Sequence, residues 1–239
     1  MPTLFLDFMS QPSRACAIFI KLNSLPVEFQ QVLIHKGETK GRDFRSRNPL
    51  GKVPFLEDET SSLQLPESAA ILMYLAKRYS TPKHWYPSDS VKQAKVDAAL
   101  HWYHSNIRAG CARLVFNTVL APKLGITANP AISDEGRELL AIALKQMTEY
   151  WLQNGAQQFM CGNQVSLADL LCACEMEQLC MMQKAMHGTD LEDQLNQFPV
   201  VKTWMRDVAA ACGPAYEDVH SLLRRAAVQS RRPSAPSKL

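Results

Sequence analysis

Ser10 and Ser13 bracket Gln11 and Pro12 where a short apolar run, residues 4–8, gives way to Ala15, Ile18, Phe19 and Leu22 at helical spacing. Two cysteines at such a strand-to-helix junction would form a disulfide-exchange centre. That chemistry needs a protein thiolate. Neither position supplies one, so a protein-based redox couple is disfavoured. A serine hydroxyl does not titrate in range and cannot act as a base. It can donate a hydrogen bond to an anion, and the backbone N–H groups of a helix N-terminus favour the same charge. Taken alone, Ser10 reads first as an ordinary helix N-terminal serine.

The other chemistry-bearing residues narrow the field. His101 and His104 stand three apart and could share a helix face, a spacing compatible with a metal. No third ligand lies nearby, and packed or surface histidines are the better reading. The seven cysteines (Cys16, Cys111, Cys161, Cys172, Cys174, Cys180, Cys212) include no Cys-x-x-Cys pair and fall mostly in apolar helical stretches, as buried reduced thiols do. The ten glycines never assume a dinucleotide or phosphate-loop spacing, and no serine sits in a nucleophile elbow. The acidic residues are too scattered for a paired-carboxylate hydrolase. Formal charge is +3, but residues 224–239 hold five Lys/Arg and no acid, which leaves 21 bases against 23 acids elsewhere, a body of charge −2. Nucleic acid is therefore not the expected partner. Without a basic leader and cleavage site, and with no stretch approaching eighteen apolar residues, neither secretion nor a membrane span is expected.

A chain of 239 residues, 46% apolar and 21% charged, suits one large domain or two small ones. Strands are expected over 4–8 and 27–34, a short helix within 36–48, a hairpin from 53–56 to 63–65, and a helix over 67–79 whose stripe is Ile71, Leu72, Leu75 and Ala76. That order makes a small mixed-sheet α/β unit. Beyond 80–89 the texture changes. Val96, Leu100, Tyr103, Ile107, Cys111 and Leu114 step by four and three, the mark of one buried helix face, and Pro122, Gly125 and Pro130 end that element. Leu140, Ala143, Met147 and Tyr150 repeat the pattern. Ser166 and Asp169 form a capping-box variant with Val165 and Leu170 as its staple, and Pro199 opens a helix through Val201, Trp204 and Val208. The boundaries are an α/β domain at 1–80, a linker at 81–88, an all-helical domain at 89–228 and a mobile tail at 229–239.

Four segments, Ser10-Gln11-Pro12-Ser13-Arg14-Ala15, Asn48-Pro49-Leu50-Gly51-Lys52-Val53-Pro54, Glu67-Ser68-Ala69-Ala70-Ile71-Leu72 and His84-Trp85-Tyr86-Pro87, together resemble a theta-class glutathione transferase. The likeness runs from about Leu4 to the helix after Pro199. It implies the glutathione transferase fold, an α/β thioredoxin-like N-terminal domain followed by an all-α domain. It also implies a homodimer with one site per subunit at the domain boundary. Glutathione is then a co-substrate, a small hydrophobic electrophile is its acceptor, and no cofactor is tightly bound.

In that reading Ser10 is the catalytic residue, its hydroxyl directed at the glutathione sulfur. The glutathione-binding set is Gln11, Thr39, Lys40, Lys52, Val53, Pro54, Glu67 and Ser68. A cis bond ahead of Pro54 leaves the Val53 backbone free to pair with the tripeptide as an added strand. Ser68 and the helix N-terminus suit a carboxylate, Glu67 the γ-glutamyl ammonium, and Lys52 and Lys40 the glycine carboxylate. The plainer readings are a trans strand entry, helix capping and solvated lysines. Arg108, Ile107 and Cys111 are expected at the electrophile pocket. Three departures stand out: Thr39 replaces a histidine or glutamine found in several members, the hairpin over 57–65 is about two residues longer than usual, and Pro66 precedes Glu67, so the entry to that helix is expected to shift.

Ser237, Lys238 and Leu239 spell the peroxisomal address. With the resemblance they suggest a plant-like peroxisomal transferase that engages the import receptor and reduces organic hydroperoxides, the cytosol being the alternative location. A non-catalytic glutathione-fold ligand carrier or dimeric scaffold is the rival class, and it has no use for Ser10. A disulfide-exchanging relative would need cysteine at position 10. A fluorescent reporter carrying residues 229–239 at its C-terminus should accumulate in peroxisomes; a reporter that stays cytosolic contradicts the address.

Overall fold

The first strand sets up two cores by alternation. In β1 (Thr3–Leu6) Leu4 and Leu6 face one side of the sheet and Phe5 the other, as a pleated strand requires. After helix α1 (Gln11–Leu22), β2 (Glu28–Gln31) pairs with β1 in parallel. Helix α2 (Arg42–Arg47) follows, and then the hairpin of β3 (Phe55–Asp58) and β4 (Leu63–Pro66) adds antiparallel to β1, giving the order β2-β1-β3-β4. Leu4 and Leu6 pack with Ala15, Ile18 and Phe19 of α1 and with Ile71, Leu72 and Leu75 of α3 (Ser68–Arg78). Phe5 packs under α2 against Phe44 and Phe55, with both ring centroids at 6.0 Å. Each such side chain contributes about 1.5–3 kcal/mol through burial. The strand expected over 27–34 stops at Gln31. Beyond it the backbone N–H of Ile34 is drawn to the Asp7 carboxylate, and a 3₁₀ turn begins.

This computed structural model describes residues 1–230. The address at Ser237, Lys238 and Leu239 lies outside the described residues. Past the sheet come α4 (Ser90–Ser105), α5 (Ile107–Val115), α6 (Ala121–Lys123), α7 (Pro130–Gln146), α8 (Leu167–Glu177), α9 (Lys184–His187), α10 (Leu191–Gln197) and α11 (Pro199–Ser230). Among the described residues, the only strand-like pairing after β4 is an isolated bridge between Phe159 and Gly162. No described helix is long and apolar enough to cross a membrane.

Several sequence expectations need correction. The six residues from Val96 to Leu114 are all buried, but on two helices broken at Asn106, which has φ −119° and ψ −93° and whose side chain donates to the Trp102 carbonyl at 2.8 Å. A π turn at Phe116–Leu120 carries the chain from α5 into α6, and the element ends at Lys123, just ahead of Gly125 at φ 67°. A second π turn at Met147–Trp151 adds a residue to the helical repeat, so Tyr150 rotates outward to 72% exposure and Trp151 takes the buried place. Helix α11 continues to Ser230, past residue 229 where the tail is expected to begin.

Two features fix α8 and α3 relative to the rest. The capping box at α8 is complete: the Ser166 hydroxyl accepts from Asp169 N–H, and Asp169 accepts from Ser166 N–H, Met160 N–H and the Trp204 indole. At the hairpin, buried Asp58 accepts from Thr60, from the Tyr74 hydroxyl at 2.5 Å and from Arg78 Nε at 2.9 Å, tying β3 to α3. Burial would raise the Asp58 pKa, but the Thr60 and Tyr74 hydrogen bonds, Arg78 and Ser61 outweigh it and hold the carboxyl at about 2. A depressed folded-state pKa stabilises above the unfolded value near 3.9 and is lost as pH falls toward 2. Asp58→Asn should therefore lower Tm by about 5 °C at pH 7. The gap between variant and parent should close as thermal unfolding is repeated from pH 5 down to pH 2.

Candidate active site

Ser10 is the N-cap of α1, with extended backbone at φ −86° and ψ 123°. Its carbonyl accepts from Arg14 N–H, its N–H donates to the Asp7 carbonyl, and its side chain makes no capping hydrogen bond. The ordinary serine-cap role is thus unfilled, and the residue keeps 7% of its surface open. The loop before it is held from both ends. Asp7 accepts from Met9 N–H at 2.8 Å and Ile34 N–H at 2.9 Å, while Arg14 donates to the Phe8 carbonyl at 3.1 Å. Arg14 is fully buried and also donates to the Cys174 carbonyl and to Gln178 Oε1 at 2.8 Å, both beyond the domain boundary.

Beside this loop lies a cavity of about 280 Å³ lined by Pro12, Leu50, Lys52, Val53, Pro54, Pro66, Glu67, Ser68, His104 and Arg108. The Val53–Pro54 peptide is cis. The turn ahead of it is shaped by Asn48, whose amide donates to the Lys52 carbonyl at 2.8 Å and whose oxygen accepts from Leu50 N–H. Gly51, at φ +60°, allows this turn to lie on the preceding segment: a Cβ there would sit 2.9 Å from the Thr39 carbonyl oxygen. Across the cavity Glu67 caps α3 at φ 69° and ψ 114°, a conformation costly for a side-chain-bearing residue and typical of sites that use the strain. Neither α1 nor α3 has a side-chain N-cap bond, so both present unsatisfied N–H groups and a positive helix end toward one place.

His104 and Arg108 enter from the opposite wall, on either side of the Asn106 break. Burial pulls the His104 pKa below its usual value and Arg108 adds to this, with Glu67 opposing. Arg108 keeps its charge: burial disfavours the guanidinium, and the buried Glu175 carboxylate with which it pairs reverses that. The cavity thus has helix ends, a lysine and a glutamate on one side and a cation-bearing wall on the other, groups able to hold a ligand that carries both charges.

The family model for "Glutathione S-transferase, N-terminal domain" matches residues 4–83. Glutathione S-transferase T1 of Arabidopsis thaliana is 38% identical over 223 residues, covering 92% of this chain and 88% of its own length. The solved human glutathione transferase theta-2, in complex with glutathione and an unknown ligand, superposes with a TM-score of 0.84 at 34% identity over 99% of this chain and 94% of that one. This chain belongs to the theta-class glutathione S-transferases. It spans only 37% of the length of two further Arabidopsis relatives, T3 and T2, each 38% identical over 226 residues.

Within this theta-class chain the structure brings six expected residues to one cavity: Lys52, Val53, Pro54, Glu67, Ser68 and Arg108. Ser10 and Gln11 stand two residues and one residue before lining Pro12. Thr39 is buried with its carbonyl against Gly51, and Lys40 is exposed; neither lines the cavity. Ile107 and Cys111 do not reach it either. They share the fully buried face of α5, four residues apart, while Arg108 occupies the neighbouring face that opens to the cavity. Burial also pushes the Cys111 thiol well up, which leaves it inert. Pro66 does not displace α3, because the turn is absorbed at Glu67. Sequence reasoning assigned no site role to His104, Leu50 or Asp7. His104 had a readable signal, its place four residues before Arg108. Among the described residues no three His, Cys, Asp or Glu side chains gather in a group able to hold a metal.

Proposed function

We propose that this chain is a working glutathione transferase in which the Ser10 hydroxyl hydrogen-bonds the thiolate of bound glutathione. The observation that carries the reading is the convergence of two uncapped helix N-termini, α1 behind Ser10 and α3 behind Glu67, on a cavity walled by Arg108. The γ-glutamyl carboxylate fits Ser68 and the α3 N–H groups, its ammonium fits Glu67, and the Val53 backbone suits the peptide part. The theta relatives support glutathione as substrate; human theta-2 was solved with it bound. The same family membership supports a homodimer, and the Ser237-Lys238-Leu239 address supports peroxisomal import.

The size of the serine effect can be bounded. A thiol of pKa about 8.5 is only a few per cent ionised at pH 7. A hydrogen bond to the charged sulfur contributes about 1.5–3 kcal/mol and a helix N-terminus about 0.3–1 more. A gain of roughly 2.7 kcal/mol lowers the pKa by about two units and raises the thiolate fraction some 25-fold. The lower basicity takes back nearly tenfold in nucleophilicity, leaving about threefold. Most acceleration must then come from holding sulfur and electrophile together.

For an organic hydroperoxide, the thiolate sulfur attacks the terminal oxygen and the O–O bond breaks. Its electron pair leaves on the alkoxide, which takes up a proton. The resulting sulfenic acid condenses with a second glutathione to give the disulfide and water. A ligand carrier would bind glutathione without this chemistry.

Purified protein given glutathione and cumene hydroperoxide should form oxidised glutathione. Ser10→Ala should fold, bind glutathione within about threefold of the parent and lose most turnover. Unchanged turnover removes Ser10 from the mechanism. Activity on halides or isothiocyanates with none on the hydroperoxide discards the peroxidase reading.

A further inference from the structure

Beneath the Arg108 wall lies a carboxylate that the proposed reaction does not use. Glu175, in the last turn of α8, has none of its surface exposed. Its Oε1 accepts from the Tyr103 hydroxyl at 2.7 Å and from Arg108 Nη1, and its Oε2 is buried without a hydrogen-bond partner. Arg108 keeps 34% of its side chain exposed and lines the cavity beside His104. The three residues come from α4, α5 and α8, so the arrangement is built by tertiary packing and spans the Asn106 break. A carboxylate buried this way is costly to desolvate, and one unpaired oxygen raises that cost. A neutral side chain would have filled the space more cheaply.

We propose that Glu175 is a positioning and specificity-determining residue: it fixes Arg108 against the cavity wall and cancels its charge, so that the acceptor side takes uncharged electrophiles in preference to anionic ones. The paired guanidinium still has N–H groups to donate to an oxygen or halogen that becomes negative only as its bond breaks. Without Glu175 the wall would be an open cation and would draw substrates that arrive already negative. This inference rests on the transferase reading above. An unscreened unit charge a few ångströms from a bound anion is worth about one to two orders of magnitude in affinity.

The test uses two product-like ligands of one shape, S-(4-carboxybenzyl)glutathione and its methyl ester, titrated calorimetrically into the parent protein, Glu175→Gln and Glu175→Asp. The parent should bind the ester better than the carboxylate. Glu175→Gln, which keeps shape and an accepting oxygen, should shift the affinity ratio toward the carboxylate by about tenfold, with glutathione affinity changed less than about twofold. Glu175→Asp retains the charge and should keep the parental preference. An equal effect on both ligands, or identical behaviour of the Asp and Gln variants, makes Glu175 merely structural and overturns the proposal. Should Glu175→Gln fail to fold, Arg108→Met decides: with Glu175 left unneutralised, the carboxylate should lose about tenfold relative to the ester, and an equal loss overturns the proposal. A parent protein that binds glutathione and both conjugates but shows no such ratio changes sinks this inference alone. A parent that binds none of them sinks the transferase reading as well.

Discussion

The site depends on where α1 is held. Its N-terminus supplies Ser10, its body packs on the sheet and α3, and its far side packs on α8 and α11. Arg14 makes that position specific. A fully buried guanidinium donates at once to the Phe8 carbonyl just ahead of Ser10 and to the Cys174 carbonyl and Gln178 side chain of the helical domain. Burial lowers its pKa, and Cys174 together with Glu175 and Glu177 works against this. Such a charge is costly to bury, and here its two terminal nitrogens find acceptors while Nε is left without one. A shift of α8 would therefore strand the donors and carry the Ser10 loop with it.

Charge in the cavity is arranged differently on its two sides. The α3 side sets the positive end of α3 and the exposed Lys52 beside the Glu67 carboxylate, so it carries both signs of charge. The helical side cancels the charge of Arg108, through Glu175 beneath it. On the proposed function, the zwitterionic tripeptide would meet the first wall and a neutral acceptor the second. At Glu67, with its φ of 69°, the side chain and the first turn of α3 line the same cavity.

Much of this was legible in the chain because it rests on local patterns. The apolar run of β1, the Pro199 helix start, the Ser166–Asp169 box and the cluster Lys52 to Ser68 each depend on residues close in sequence. What stayed hidden depends on distant partners or on small changes of helical phase. Asn106 breaks a face that the four-and-three spacing leaves continuous, and a π turn exchanges Tyr150 for Trp151. Ile107 and Cys111 share the apolar phase of Val96, and that phase points to the core and not to the cavity. Glu175 and Arg14 read as ordinary helix charges until α8 is placed against α1 and α5.

The central claim is that a serine hydroxyl stabilises a sulfur belonging to the bound tripeptide. Ultraviolet difference titration of the glutathione thiolate on the protein, from pH 5 to pH 9, addresses it directly. The account predicts a bound thiol titrating about two units below its free value near 8.5, and moving back by about one unit or more in Ser10→Ala. The same titration curve for both proteins would contradict it.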